Sequence, residues 1–185
     1  MKYIYLANNR VGLDILSWLL AEGYPPSGLV VHPSDRSKYR QEIITASNLS
    51  SDHILDASQL RKPLGLEWLK VHQPDWILSI YFGYILKPDV LMMPKYGVLN
   101  LHPSLLPYNK GAYPNVWSII DQTPAGVTLH FVNEVVDTGD IVAQKELQVL
   151  PTDTGESLYK RSEVASTELF VETWPQILTR TFRRQ

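Results

Sequence analysis

An α/β fold is expected from three observations. Apolar runs of strand length alternate with amphipathic runs of helix length, prolines fall between them as punctuation, and the last third changes to two neighbouring β-rich runs. Residues 3–7 read as a buried strand. Residues 11–20 carry Val11, Leu13, Ile15, Leu16, Leu19 and Leu20 at mostly helical spacing, ending at Gly23 before Pro25-Pro26. Leu29-Val30-Val31 is the next strand, so the first thirty or so residues form a βαβ unit, which pairs parallel strands through a right-handed crossover. The alternation continues with a helix over 64–72, a strand over 75–80, a short helix after Pro88, a strand over 98–101 and a helix over 112–120. Residues 126–132 and 140–144 then lie close enough to pair antiparallel around the loop 134–139. A last helix runs from Thr154, with Asp153 as its cap, to about Ile177. The expectation is a Rossmann-like, mostly parallel central sheet with helices on both faces and an antiparallel C-terminal hairpin. One domain spans 1–178, and the basic tail 179–185 is expected to fray.

Composition narrows the chemistry. A chain of 185 residues, 44% of them hydrophobic, buries a sufficient core without disulfides or metals as staples. It has no cysteine, which excludes thiolate nucleophiles, Cys-ligated zinc and Cys-held iron–sulfur clusters. Seventeen Lys and Arg against nineteen Asp and Glu give a formal charge of −2, so no polyanion-binding surface covers the domain and nucleic acid is not an expected partner. The apolar N-terminal run ends at Asn8-Asn9-Arg10, too short for a secretory or membrane segment. A soluble, cytoplasmic protein with no membrane partner is expected, in which the sequon Asn48-Leu49-Ser50 has no consequence.

The first βα turn, Ala7-Asn8-Asn9-Arg10-Val11-Gly12, lacks the glycine spacing that brings a pyrophosphate onto a helix N-terminus. Neither a P-loop nor a Gly-x-Ser-x-Gly elbow occurs. His32, His53 and His72 have no partner at metal-ligand helical spacing and read as surface histidines; no metal is expected. The informative run is Asn100-Leu101-His102-Pro103-Ser104-Leu105-Leu106-Pro107-Tyr108-Asn109-Lys110-Gly111, at the end of a central strand. Alternation puts Asn100 and His102 on one side: a neutral amide donor beside a group that exchanges a proton near neutrality, a pair suited to an oxyanion. Asp137, in Val136-Asp137-Thr138-Gly139-Asp140-Ile141, is the carboxylate that would orient His102 and hold it charged. Taken singly, a strand-end His-Pro and an Asp-Thr-Gly-Asp turn are ordinary loop features.

Taken together, the run 100–111, Gly126-Val127-Thr128-Leu129-His130-Phe131-Val132, the Asp137 cluster and Gln144 closely resemble the catalytic half of the folate-dependent formyltransferases. That family includes glycinamide ribonucleotide transformylase, methionyl-tRNA formyltransferase and the sugar N-formyltransferases. The resemblance covers residues 75–160 well and the N-terminal third more loosely. It implies the formyltransferase fold, Asn100, His102 and Asp137 as the catalytic set, and N10-formyltetrahydrofolate as co-substrate. It also implies that the pterin lies against backbone of Gly83, Tyr84, Ile85 and Leu86 and of the loop containing Val132, Asn133, Glu134 and Val136. Core packing is the plain alternative for the side chains of Tyr84, Ile85 and Leu86.

The acceptor is read from departures within the family. The substrate-phosphate loop of glycinamide ribonucleotide transformylase is replaced here by Asn8-Asn9-Arg10-Val11-Gly12-Leu13, and no basic surplus suits transfer RNA. Tyr108-Asn109-Lys110-Gly111, Pro114-Asn115-Val116-Trp117 and residues 123–128 look most like the sugar N-formyltransferases. A nucleotide-linked amino sugar is the expected acceptor, with Asn9, Arg10, Tyr81 and Lys110 as contacts and a monomer or homodimer as the assembly. A glycinamide ribonucleotide-type transformylase, a formyltetrahydrofolate hydrolase and a non-catalytic folate-binding module are the alternatives.

Overall fold

The computed structural model describes residues 1–185. Its elements are β1 (Tyr3–Ala7), α1 (Arg10–Ala21), β2 (Gly28–Val31), α2 (Arg40–Ser47), β3 (Ile54–Asp56), α3 (Pro63–His72), β4 (Trp76–Ile80), α4 (Pro88–Leu91), β5 (Gly97–His102), α5 (Pro114–Ile120), β6 (Ala125–Phe131), β7 (Ile141–Leu147) and α6 (Gly155–Thr179). The seven strands follow the sheet order β3-β2-β1-β4-β5-β6-β7. The expected alternation and the mixed sheet are both present. No helix is long and apolar enough to cross a membrane. The chain divides into two compact units, Met1–Leu99 and Asn100–Gln185.

In the first unit β1 lies between β2 and β4, parallel to both, with Tyr5 opposite Leu29 on one side and Leu78 on the other. Every residue of β1, β2 and β4 is buried, as parallel strands covered on both faces require. The α1 helix turns Val11, Ile15, Leu16 and Leu19 inward, and Asn9 caps it, its Oδ1 accepting from the Gly12 N–H. Two elements were not anticipated. The α2 helix buries only Ile43 and Ser47 and has no side-chain cap, so its sequence shows no apolar stripe. The β3 strand, three residues long, is held by pairing with β2 rather than by any pattern of its own.

In the second unit β6 and β7 pair antiparallel, from Ala125 opposite Leu147 to His130 opposite Ile141, with a bulge at Leu129/His130. The α6 helix packs on this hairpin through Leu158, Ala165, Leu169, Phe170, Trp174 and Ile177. Its cap is Thr154, not Asp153: Thr154 and Ser157 form a reciprocal capping box. Asp153 instead accepts from the Leu150 N–H at 2.7 Å and the Ser157 hydroxyl at 2.7 Å, and pairs with Arg161. The tail expected to fray is seated: Gln185 and Ile141 exchange backbone hydrogen bonds of 3.0 and 2.9 Å, and Arg184 stacks 3.8 Å over Phe131.

Candidate active site

The catalytic candidates all belong to the second unit, and the fold gathers them around a residue the sequence reading passed over. Alternation along β5 leaves Asn100 half-buried and His102 buried, with Leu101 turned into the core. On β6, Thr128 and His130 share a face by the same alternation, and the bulge beside His130 re-aims its ring. His130 Nδ1 donates to the Phe131 carbonyl at 2.7 Å, so Nε2 of the neutral ring is an acceptor. Asn100 Nδ2 stands 3.1 Å from that Nε2 and donates to it; the amide oxygen there would set two lone pairs face to face. His130 thereby fixes the amide, keeping its second N–H available. Its signal was present as the alternation of Thr128 and His130, but nothing in the sequence alone says that β6 lies beside Asn100.

Asp137 comes from the loop between β6 and β7. Its Oδ2 accepts the Gly111 N–H at 2.8 Å and lies 3.5 Å from His102 Nε2, while Oδ1 lies 3.6 Å from His130 Nε2. Asp137 has φ of 52°, a left-handed conformation that Asp tolerates better than most residues at a cost of about 1 kcal/mol. The surrounding loop holds it there: Asn133 Oδ1 accepts from the Val135 N–H at 3.1 Å and the Thr138 hydroxyl at 2.9 Å, and Phe131 N–H meets Asp140 O at 2.8 Å. Gly139 fits where no other residue can, since a Cβ there would stand 1.9 Å from the Phe131 oxygen. The loop after His102 is pinned from β6 and β7. Thr128 donates to Ser104 O at 2.7 Å and accepts from the Leu106 N–H at 3.1 Å, and Gln144 Nε2 donates to Leu106 O at 2.8 Å.

Electrostatics revise one expectation. Asp137 was expected to hold His102 charged, but burial outweighs its pull, and the His102 pKa falls below the ordinary histidine value. His102 therefore rests neutral at pH 7. A hydrogen bond to the Asn109 backbone occupies one ring nitrogen, while Nε2 is buried with no hydrogen-bond partner and faces Asp137. Burial also lowers the His130 pKa. The arrangement is a neutral base aimed beside a carboxylate, next to an oriented amide donor.

The remaining candidates divide between the units. In the second, Lys110 is exposed beside Gly111, Val136 is 46% exposed on the Asp137 loop, and Val132, Asn133 and Glu134 precede it, the Asn133 side chain engaged within the loop. In the first, Asn9 is committed as a helix cap, and Arg10 Nε bonds Asp14 at 2.8 Å, so an anion there competes with Asp14. Tyr81 has φ of 50°. Core packing accounts for Leu86 but not for Ile85, which is 60% exposed; Tyr84 rests edge-on against His32, and nothing lies within 4 Å of a Cβ built on Gly83.

A strand-end Asn-x-His thus faces a loop carboxylate on this α/β fold. In comparison with known proteins, the family described as formyl transferase matches residues 27–174, and the chain belongs to that family. It is 31% identical over 185 residues to a methionyl-tRNA formyltransferase of Geobacillus sp. (strain WCH70), covering 96% of this chain and 58% of the relative. The chain thus spans little more than half of that curated relative. Among solved structures, a sugar N-formyltransferase from Shewanella sp. FDAARGOS_354 superposes with a TM-score of 0.83 at 19% identity, over 100% of this chain and 72% of that one, a likeness of fold. The formyltransferase PseJ from Anoxybacillus kamchatkensis, in complex with UDP-4,6-dideoxy-4-formamido-L-AltNAc and tetrahydrofolate, gives 0.66 at 29% identity, over 100% and 80%.

Proposed function

We propose that this chain transfers the formyl group of N10-formyltetrahydrofolate to the amine of a nucleotide-linked amino sugar. The observation that carries the reading is the joined set Asn100, His130, Asp137 and His102: His130 orients the Asn100 amide, Gly111 N–H holds Asp137, and Asp137 faces His102. The acceptor amine attacks the formyl carbon, and the carbonyl oxygen becomes an oxyanion facing the second N–H of Asn100. The amine loses its proton to His102 Nε2, and the imidazolium so formed is stabilised by Asp137 at 3.5 Å. The proton then passes to N10 of the folate as the carbon–N10 bond breaks, giving tetrahydrofolate and the formamide. No charge has to be present on His102 beforehand.

Support for the folate comes from the exposed Val136 on the loop that carries Asp137, an apolar surface on which a flat ring can lie. Support for the sugar comes from PseJ, whose complex holds a UDP-linked 4-formamido sugar, and from the sequence 108–111 beside the catalytic turn. A soluble cytoplasmic setting suits both substrates.

The test is tetrahydrofolate release from N10-formyltetrahydrofolate with each of several acceptors: nucleotide-linked amino sugars, glycinamide ribonucleotide and methionyl-tRNA, with His102→Ala as blank. Release that needs an amino sugar supports the proposal. Release that needs another acceptor replaces the sugar, release without any amine makes the chain a hydrolase, and folate binding without turnover makes it a binding module.

A further inference from the structure

We propose that His53 and His72 form a two-imidazole site for a divalent transition-metal ion of the Zn2+, Ni2+ and Cu2+ class. They stand nineteen positions apart in sequence, which hid their relation. The fold places the 3-10 turn Ser51–His53 against the last turn of α3, and His53 Nδ1 stands 3.0 Å from His72 Nε2. Two ring nitrogens so close share either a proton or a cation. Nitrogen ligands at about 2.0–2.1 Å from a tetrahedral ion stand roughly 3.3–3.4 Å apart, so the rings need to open by only a few tenths of an ångström.

The surroundings prepare both rings. His72 Nδ1 donates to the Trp68 carbonyl at 2.8 Å, which fixes that tautomer and turns the Nε2 lone pair toward His53. This is the outer hydrogen bond by which metal-binding histidines are oriented. The Trp68 indole lies 3.9 Å from the His72 ring, and its Nε1 donates to Asp52 O at 2.8 Å, inside the turn that carries His53. One tryptophan thus braces both ligands. His53 Nδ1 also lies 3.1 Å from Ser27 O; binding a cation requires this ring to carry its proton on Nε2 instead, with no proton lost from the protein. Imidazole nitrogens select zinc, nickel and copper over calcium and magnesium, which take oxygen. No third His, Cys, Asp or Glu joins the pair, so water completes the shell and the affinity is micromolar rather than nanomolar. The site shares no residue with the formyl-transfer set and does not depend on that reading.

Trp68 supplies a reporter, because bound Cu2+ quenches an indole in contact with its ligand. In a tag-free chain, Cu2+ is expected to quench tryptophan fluorescence saturably at one equivalent, and Zn2+ to bind once by calorimetry. His53→Gln and His72→Gln should each weaken both at least tenfold, while Trp68→Phe, which loses the brace as well as the reporter, removes most of the quench and weakens Zn2+ less than either Gln variant, with one equivalent still bound. As a check that needs no variant, Zn2+ should shift the ring-proton resonances of two histidines together and leave the other three. Absence of saturable binding below millimolar metal, binding unchanged in both Gln variants, or Zn2+ shifts outside the pair would overturn the proposal.

Discussion

In the proposed mechanism Asn100 acts through an amide whose orientation is decided by His130. Its Nδ2 donates one N–H to His130 and keeps the other for a developing oxyanion. Asn100→Ala removes the donor and should lower kcat by a factor on the order of 10²–10³, equivalent to about 2.7–4 kcal/mol, with substrate KM values changing far less. His130→Phe keeps the bulk but frees the amide to rotate. It should cost roughly 10–100-fold in kcat, with tetrahydrofolate affinity retained in a binding titration. If His130→Phe matched wild type in kcat, the orienting role would be lost. The pH profile isolates the base. His102 must be neutral to accept the proton, so kcat/KM should fall on acidification with a midpoint below the ordinary 6.5, because burial lowers its pKa. Asp137 raises that pKa, so in Asp137→Asn the residual activity should titrate at a still lower pH. A midpoint moving upward would contradict the assignment.

At the scale of elements, the carboxylate is delivered by loop closure. Gly139 lets the turn fold under the Phe131 carbonyl, where a Cβ would meet the oxygen at 1.9 Å. Gly139→Ala should therefore displace the Asp137 loop and abolish most turnover, while the melting temperature falls by only a few degrees, since the hairpin and α6 lie outside the loop. Equal loss of both would mean that the loop is part of the folding core. The capping box gives a complementary case: Thr154→Ala should destabilise by about 1 kcal/mol in urea unfolding and leave kcat unchanged. These elements also show what was legible. The strands at 3–7 and 126–132 were legible as continuous β-rich runs, because every residue of β1 and β6 is buried, and the helix at 11–20 was legible by its apolar stripe. The α2 helix, with two buried residues, and β3, defined only by its neighbour, were not. The approach of Asp137 to His102 was legible through an ordered motif. That of His130 to Asn100 was not, because it rests on β6 standing beside β5, which no spacing encodes.

At the scale of the whole molecule, burial of histidines sets the acid limit of stability. His32 in the first unit and His102 and His130 in the second are all buried, and desolvation is the leading cause of lowered pKa at each. The unfolded chain titrates these rings near 6.5, so just below that pH it binds protons that the folded chain refuses, and stability must fall as pH falls. The contribution is complete above 6.5 and declines through the interval between 6.5 and each folded-state value, then levels once the folded rings are protonated too. Asp153 and Glu156, whose pKa values are lowered by hydrogen bonds and cationic neighbours, act in a different window, losing their contribution only below the ordinary carboxylate range near 4. Urea unfolding followed from pH 8 to 5 should therefore show a plateau above about 7 and a decline beneath 6.5, before any carboxylate titrates. His130→Phe should shallow that decline whatever it does to the plateau, because it removes a ring that the fold keeps neutral. Stability that stayed level or rose from pH 7 to 5 would mean that Asp137, rather than burial, governs the protonation of His102 and His130, and would restore a resting imidazolium to the catalytic site.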